Sequence, residues 1–243
     1  MSDVIPAAST PRVPVRLGGQ VSASFPVRRI FCVGRNFADH AREMGAAVPA
    51  SAAARGQPVF FCKPADALVL DGQVPYARGT HDLHHEVELV VALGADAPDG
   101  ILDPARAESL VYGYAVGLDL TRRDLQGAAK AKGLPWDTGK AFDQSAPISA
   151  IVPAAEVGAL AGRSLTLVIN GTQRQHGALS DLIWTVPEIL HELSKLFALK
   201  AGDLVFMGTP AGVGPLQVGD AFAASLDGVV ALEGHVTPPS GTV

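Results

Sequence analysis

Two cysteines, 6% aromatic residues and 18% charged residues leave this chain short of the features that mark several protein classes. A secreted disulfide scaffold needs more cysteine than Cys32 and Cys62. Both sit in apolar, strand-like runs and read as buried, reduced thiols of a cytoplasmic protein. Basic stretches are missing too. Against 24 Asp+Glu stand 19 Lys+Arg, for a net charge of −5, and no segment gathers the positive stripe that neutralises phosphates. Nucleic acid is thereby excluded as a partner, and a membrane surface is excluded by the lack of a basic amphipathic helix. No apolar run approaches the roughly 18 residues that span a bilayer. The opening stretch MSDVIPAASTPRVPVRLGG is interrupted by prolines and has no apolar centre, so a secretory signal is not expected.

What the chain does have is 48% hydrophobic residues over 243 positions, enough to bury a large core in one domain. With 26 Gly and 18 Pro, many turns and short strands are expected. Residues 1–26 read as a flexible, Pro/Ala/Ser-rich N-terminal arm and 27–243 as a single domain. Apolar runs predict strands at 29–33, 59–62, 85–93, 112–120, 165–169 and 203–207. Asn36 is placed to cap a short helix over 37–44, and Thr121 with Asp124 to box the start of another. Thr185 with Glu188 marks a third helix, running to about residue 199. Asn170-Gly171 predicts a hairpin with a type I′ turn, and Asp227-Gly228 a second hairpin. Strands dominate, so the fold class is α+β, predominantly β, a mixed β-roll or sandwich with few helices.

Glu86 and Glu88 are two apart on an expected strand and project from one face, while Val87 and Leu89 take the other. Like charges so placed repel unless a cation or solvent relieves them. Asp119 ends an apolar strand, where a lone carboxylate is out of character. Three oxygen donors without cysteine describe a hard-cation site: Mg²⁺ first, with Mn²⁺ or Ca²⁺ also fitting. The same Glu-x-Glu also describes the wet face of an edge strand. His84 and His85 point to opposite faces and do not share a metal.

His40 and Glu43 lie side by side at i and i+3, the arrangement of a base with its orienting carboxylate, and equally the wet side of a small amphipathic helix. The long Ala/Gly/Pro stretch that follows, 45–57, suits a closing lid. Arg123, Gln126 and Lys130 share a helix face, with Arg123 and Gln126 near Asp119 and Lys130 far enough along to reach the surface. Lys140, between apolar neighbours, is either a snorkelling residue or an anion ligand. The loop Gly208-Thr209-Pro210-Ala211-Gly212-Val213-Gly214 presents backbone N–H groups that suit a carboxylate.

In this order, the segments IFCVGRNFADHAREMG, FFCKPADALV, HHEVELVVALG, YGYAVGLDLTRRDLQ, PWDTGKAFDQSAPI, LVINGTQRQHG and KAGDLVFMGTPAGVGPL resemble the fumarylacetoacetate hydrolase family, in its small bacterial acylpyruvate and fumarylpyruvate hydrolase branch. The resemblance covers the chain from about residue 29 onward. It implies the β-roll of that family's C-terminal domain with a lid helix, a homodimer, and a central divalent metal. By motif, Glu86, Glu88 and Asp119 would be metal ligands and His40 with Glu43 the catalytic pair. Lys140 and Gln126 would hold developing oxyanions, and Arg35, Arg123 and Thr209 would contact substrate. The stretch 45–57 is longer and richer in alanine than the family pattern. The implied reaction is hydrolytic C–C cleavage of 2,4-diketo acids to pyruvate and a carboxylic acid, as in aromatic catabolism. A metal-bound enolate serves equally in oxaloacetate decarboxylation or keto-acid isomerisation, and a non-catalytic keto-acid-binding module is the reading from another class.

Overall fold

Runs of apolar residues without alternation build the centre of the molecule. A computed structural model describes residues 9–43 and 54–239. Val87–Leu93 is buried at every position. It lies within a six-stranded mixed sheet of spatial order Val152–Pro153, Val111–Leu118, Val87–Leu93, Asp203–Phe206, Arg29–Gly34 and Val59–Lys63. A strand covered on both faces needs no polar side, which explains the continuous apolar pattern.

One face of this sheet, with Phe31, Leu89, Val91, Val116 and Val205, packs on a five-stranded sheet and on the helix Val186–Ser194. The second sheet runs Thr172–Ala178, Ser164–Ile169, Ala221–Leu226, Val230–Thr237 and Gln73–Pro75. Asn170 and Gly171, at φ 50° and 77°, form the expected tight turn between its first two strands. The helix Val186–Ser194 opens with the Thr185–Glu188 capping box, also as expected. The architecture is the predominantly β sandwich roll that the strand count predicts.

The other face of the six-stranded sheet, with Ile30, Cys32, Val90, Ala115 and Phe206, is covered by a hairpin the sequence reading did not anticipate. Residues 12–26, expected within a flexible arm, form the antiparallel pair Arg12–Leu17 and Gln20–Pro26. Val13, Val15 and Phe25 are buried beside Ile148 and Ile151. Pro14 is accommodated in this strand because its missing N–H is not needed there. Its carbonyl accepts from the Ile151 N–H at 2.8 Å, and Arg16 N–H reaches the Ile151 carbonyl at 2.9 Å. Residues 1–8 of that arm lie outside the described residues.

Four further expectations are corrected. The 85–93 strand is broken at Glu86 into Leu83–His85 and Val87–Leu93, and that break lets the Glu86 carbonyl accept from the Asp119 N–H at 2.8 Å. Asn36 does not cap the helix Ala38–Glu43; its amide donates to the Trp184 and Met207 carbonyls and accepts from the Trp184 N–H. Thr121 and Asp124 make no capping box for Arg123–Ala131. The Thr121 hydroxyl donates to the Asp119 carbonyl, and Asp124 accepts from the Thr80 hydroxyl. Cys62 is exposed on the edge strand Val59–Lys63, whereas Cys32 is buried.

Candidate active site

Strand register brings the acidic residues together. In the antiparallel pair Val87–Leu93 and Val111–Leu118, Val87 faces Leu118 and Glu88 faces Gly117. Glu86 and Asp119 therefore emerge side by side just past the last rung. Gly117 leaves no side chain opposite Glu88, and a Cβ there would come within 2.7 Å of the Phe206 ring. Carboxylate oxygens of Glu86, Glu88 and Asp119 lie within 4.8 Å of one another, and all three residues are buried. The wet-edge alternative for Glu86 and Glu88 is thereby set aside.

Three cations pair with two of the three carboxylates, Glu86 and Asp119. Lys140, itself buried, bridges them by donating from Nζ to Glu86 Oε2 at 2.8 Å and Asp119 Oδ2 at 2.6 Å. Arg123 pairs with Glu86 Oε1 and donates to Gln126 Oε1 at 2.5 Å. Lys63 stands 2.8 Å from Asp119 Oδ1 while its Nζ donates to the carbonyls of Leu120 and Lys140. That ion contact is off the hydrogen-bond direction, so Asp119 Oδ1 has no hydrogen-bonded donor among the described residues. Among the described residues, Glu88 accepts only the Gly208 N–H, at 2.8 Å.

Electrostatics follow from this arrangement. Burial opposes ionisation of Glu86, yet Lys140 and Arg123 outweigh it and hold its carboxyl well below the usual range. Lys140 is likewise opposed by burial and held strongly protonated by Asp119 and Glu86. Glu88 is pushed well above the carboxylate range by burial and then by the charges of Asp119 and Glu86. A crowded, oxygen-only set with an under-coordinated Asp119 oxygen fits a hard divalent cation, which would relieve the repulsion at Glu88.

His40, on the helix Ala38–Glu43, turns into the same cleft and is buried. Its Nδ1 meets Glu43 Oε2 at 3.1 Å, and Glu43 in turn accepts the Gly212 N–H at 3.2 Å. The buried imidazole is not on the wet side of its helix. Residues 44–53, which hold most of the stretch read as a lid, lie outside the described residues.

The cleft gathers Arg35, His40, Glu86, Glu88, Asp119, Arg123, Gln126, Lys140 and Thr209, which is every sequence-derived candidate except Glu43, held behind His40. Arg35 enters through a left-handed backbone, φ 59°, a conformation non-glycine residues adopt at a cost. Lys130 also lines the cleft, not the outer surface, because the face it shares with Arg123 and Gln126 turns inward over two helical turns. Burial, then the nearby Arg35 and Arg123, lowers its pKa. Phe61 and Trp136 form the apolar wall. Sequence reasoning missed Lys63, which looked like the end of a strand, and Gln175, which looked like one more polar residue of a hairpin. A charged residue closing an apolar strand was the only available signal for Lys63, and none pointed to Gln175.

Comparison with known proteins agrees with the fold. The family described as fumarylacetoacetate (FAA) hydrolase C-terminal matches residues 29–237. Oxaloacetate tautomerase YcgM of Escherichia coli (strain K12) is 45% identical over 207 residues, covering 84% of this chain and 90% of that protein. The mitochondrial oxaloacetate tautomerase FAHD1 of Homo sapiens is 40% identical over 213 residues, covering 87% and 93%. A crystal structure of fumarylpyruvate hydrolase from Pseudomonas aeruginosa in complex with Mn²⁺ and pyruvate is similar at a TM-score of 0.89, with 41% identity, over 98% of this chain and 100% of that one.

Proposed function

The chain belongs to the fumarylacetoacetate hydrolase family, and on that premise we propose that it is a metal-dependent hydrolase of 2,4-diketo acids, acting on fumarylpyruvate or related acylpyruvates. Pyruvate and a carboxylic acid are the products. The observation that carries this reading is the buried His40, backed by the exposed Glu43 and set in one cleft with the three carboxylates. Glu86, Glu88 and Asp119 would hold the ion, Mg²⁺ or Mn²⁺, which when bound supplies Lewis acidity toward the carboxylate and 2-oxo oxygens of the substrate.

The chain's own groups do the rest. Glu43 accepts the Nδ1 proton of His40, which leaves Nε2 as the free base facing the cleft. There it takes a proton from water, and the oxygen attacks the ketone at carbon 4. The bond between carbons 3 and 4 breaks, its electron pair passes to the pyruvate portion, and a proton returns to carbon 3. Gln126 accepts from Arg123 through Oε1, so its amide N–H groups are left to donate to a developing oxyanion. Arg35 and Lys130 add positive charge at the wall, which favours an anionic substrate.

Oxaloacetate tautomerisation is the second reading, favoured by the relatives of that activity at 45% and 40% identity. It needs the same base, moving a proton between carbon 3 and the 2-oxygen without attack by water. Incubation of the protein and Mn²⁺ with fumarylpyruvate, acetylpyruvate and oxaloacetate separates the two. Stoichiometric pyruvate and acid from an acylpyruvate supports the hydrolase. Rapid keto–enol interconversion of oxaloacetate with intact acylpyruvates overturns it in favour of the tautomerase, and CO₂ release in favour of a decarboxylase.

A further inference from the structure

Outside the carboxylate cluster, three buried polar side chains form a chain of their own. Gln175 is 1% exposed, and His85 and Thr209 are 2% exposed. Main-chain partners fix which end of the Gln175 amide is which. The Val87 N–H, able only to donate, meets Oε1 at 3.0 Å, and the Pro210 carbonyl, able only to accept, meets Nε2 at 2.8 Å. The remaining Nε2 proton is directed at Thr209 Oγ1, 2.8 Å away. Oε1 takes a second donor, His85 Nδ1, at 2.9 Å. All four hydrogen-bonding positions of the amide are therefore filled, and it has no alternative orientation of equal energy.

This saturation sets the polarity of Thr209. Its oxygen accepts from Gln175, and no acceptor for its own proton is found among the described residues. Thr209 lines the cleft with Lys140 and Gln126, which leaves that proton available to an acceptor bound there. The loop carrying Thr209 lies directly on the strand carrying Gln175. A Cβ at Gly212, whose φ is 95°, would come within 2.0 Å of the Arg174 carbonyl oxygen.

We infer that Gln175 is a positioning residue that turns the Thr209 hydroxyl into a fixed donor for a carboxylate oxygen of the bound 2-oxo acid. The inference rests on the keto-acid reading above and assigns the donor within that site. Gln175→Glu would present only acceptors to Thr209; the hydroxyl would then donate away from the cleft and turn its lone pairs toward an anion.

Calorimetry of pyruvate binding to the Mn²⁺-loaded protein tests this, with Gln175→Glu, Thr209→Val, Thr209→Ser and the Gln175→Glu/Thr209→Val double variant. Gln175→Glu and Thr209→Val are expected to weaken pyruvate binding by about 10–100-fold, the range for a hydrogen bond to a charged group. Mn²⁺ affinity should stay near wild type, and Thr209→Ser should bind pyruvate as wild type does. In turnover, KM should rise with kcat little changed. The double variant should be no weaker than Thr209→Val alone, because both changes remove one donor. If Gln175→Glu does not fold, Gln175→Met, which offers no hydrogen bond, takes its place with the same non-additive outcome. Unchanged pyruvate affinity in Thr209→Val, or losses that multiply in the double variant, overturn the inference alone. Failure of the wild-type protein to bind pyruvate overturns the keto-acid reading and this inference together.

Discussion

The Lys63 ammonium lies 2.8 Å from Asp119 Oδ1, both side chains fully shielded from solvent, while Lys140 holds the opposite oxygen of the same carboxylate. Removing either amine leaves one oxygen of a buried carboxylate without its ion partner. Lys63→Ala should therefore cost about 3–5 kcal/mol of unfolding free energy, the range for breaking a buried ion pair from one side. Urea unfolding checks this, and an unchanged midpoint would assign Asp119 to Lys140 alone.

His40→Ala should lower kcat by about two to four orders of magnitude, the span for a general base. Mn²⁺ affinity by calorimetry should stay near wild type, since His40 faces the carboxylate cluster without belonging to it. A large loss of metal affinity would make His40 a structural element of the cluster.

Chelation should abolish turnover, and added Mg²⁺ or Mn²⁺ should restore it. Asp119→Asn should lose the calorimetric Mn²⁺ signal, because the amide offers a single neutral oxygen where Lys63 and Lys140 now meet a charge. Activity that survives exhaustive chelation would count against the metal-dependent scheme.

Gly212→Ala should separate loop geometry from chemistry. The added carbon meets the Arg174 carbonyl and the backbone φ of 95° disfavours it, so the loop must shift and its N–H must leave Glu43. A kcat lower by about 10–100-fold is expected from misplacing the dyad. Wild-type turnover would show that Glu43 is held well enough by His40 alone.

Glu188 gives a pH signature. The Arg55 side chain is the main cause, helped by Thr185, of a carboxyl pKa lowered from 4.5 to about 2. A depressed carboxylate pKa stabilises the fold above the unfolded value, and that contribution disappears as pH falls through the folded one. The melting-temperature gap between wild type and Glu188→Gln should thus be constant from neutral pH to about 5, then narrow and close near pH 2. A gap that persists at pH 2 would trace the difference to packing.

Local signals were legible wherever the physics is local. The Asn170-Gly171 turn and the Thr185–Glu188 box depend on a few consecutive residues, and both are in place. The Thr121–Asp124 box failed on the same logic, because Thr80, 44 residues away, competes for Asp124. Lys130 and Cys62 were misplaced since helical and strand periodicity give a face but not what covers it.

By itself, the sequence determined the apolar runs that must become a doubly covered sheet, the turns between them, and the presence of Glu86, Glu88 and Asp119 at the ends of two such runs. Only the tertiary structure decided that Lys63 joins the carboxylates, that Gln175 takes up the Val87 N–H, and that Glu88 and Glu43 are the carboxylates the Gly208 and Gly212 N–H groups meet. Their partners lie between 57 and 169 residues away for Lys63–Leu120, Gln175–Val87, Gly208–Glu88 and Gly212–Glu43. Hydrogen bonds and ion pairs act over a few ångströms, so which distant groups share that space is set by sheet register and burial, and no pattern of neighbouring residues encodes it.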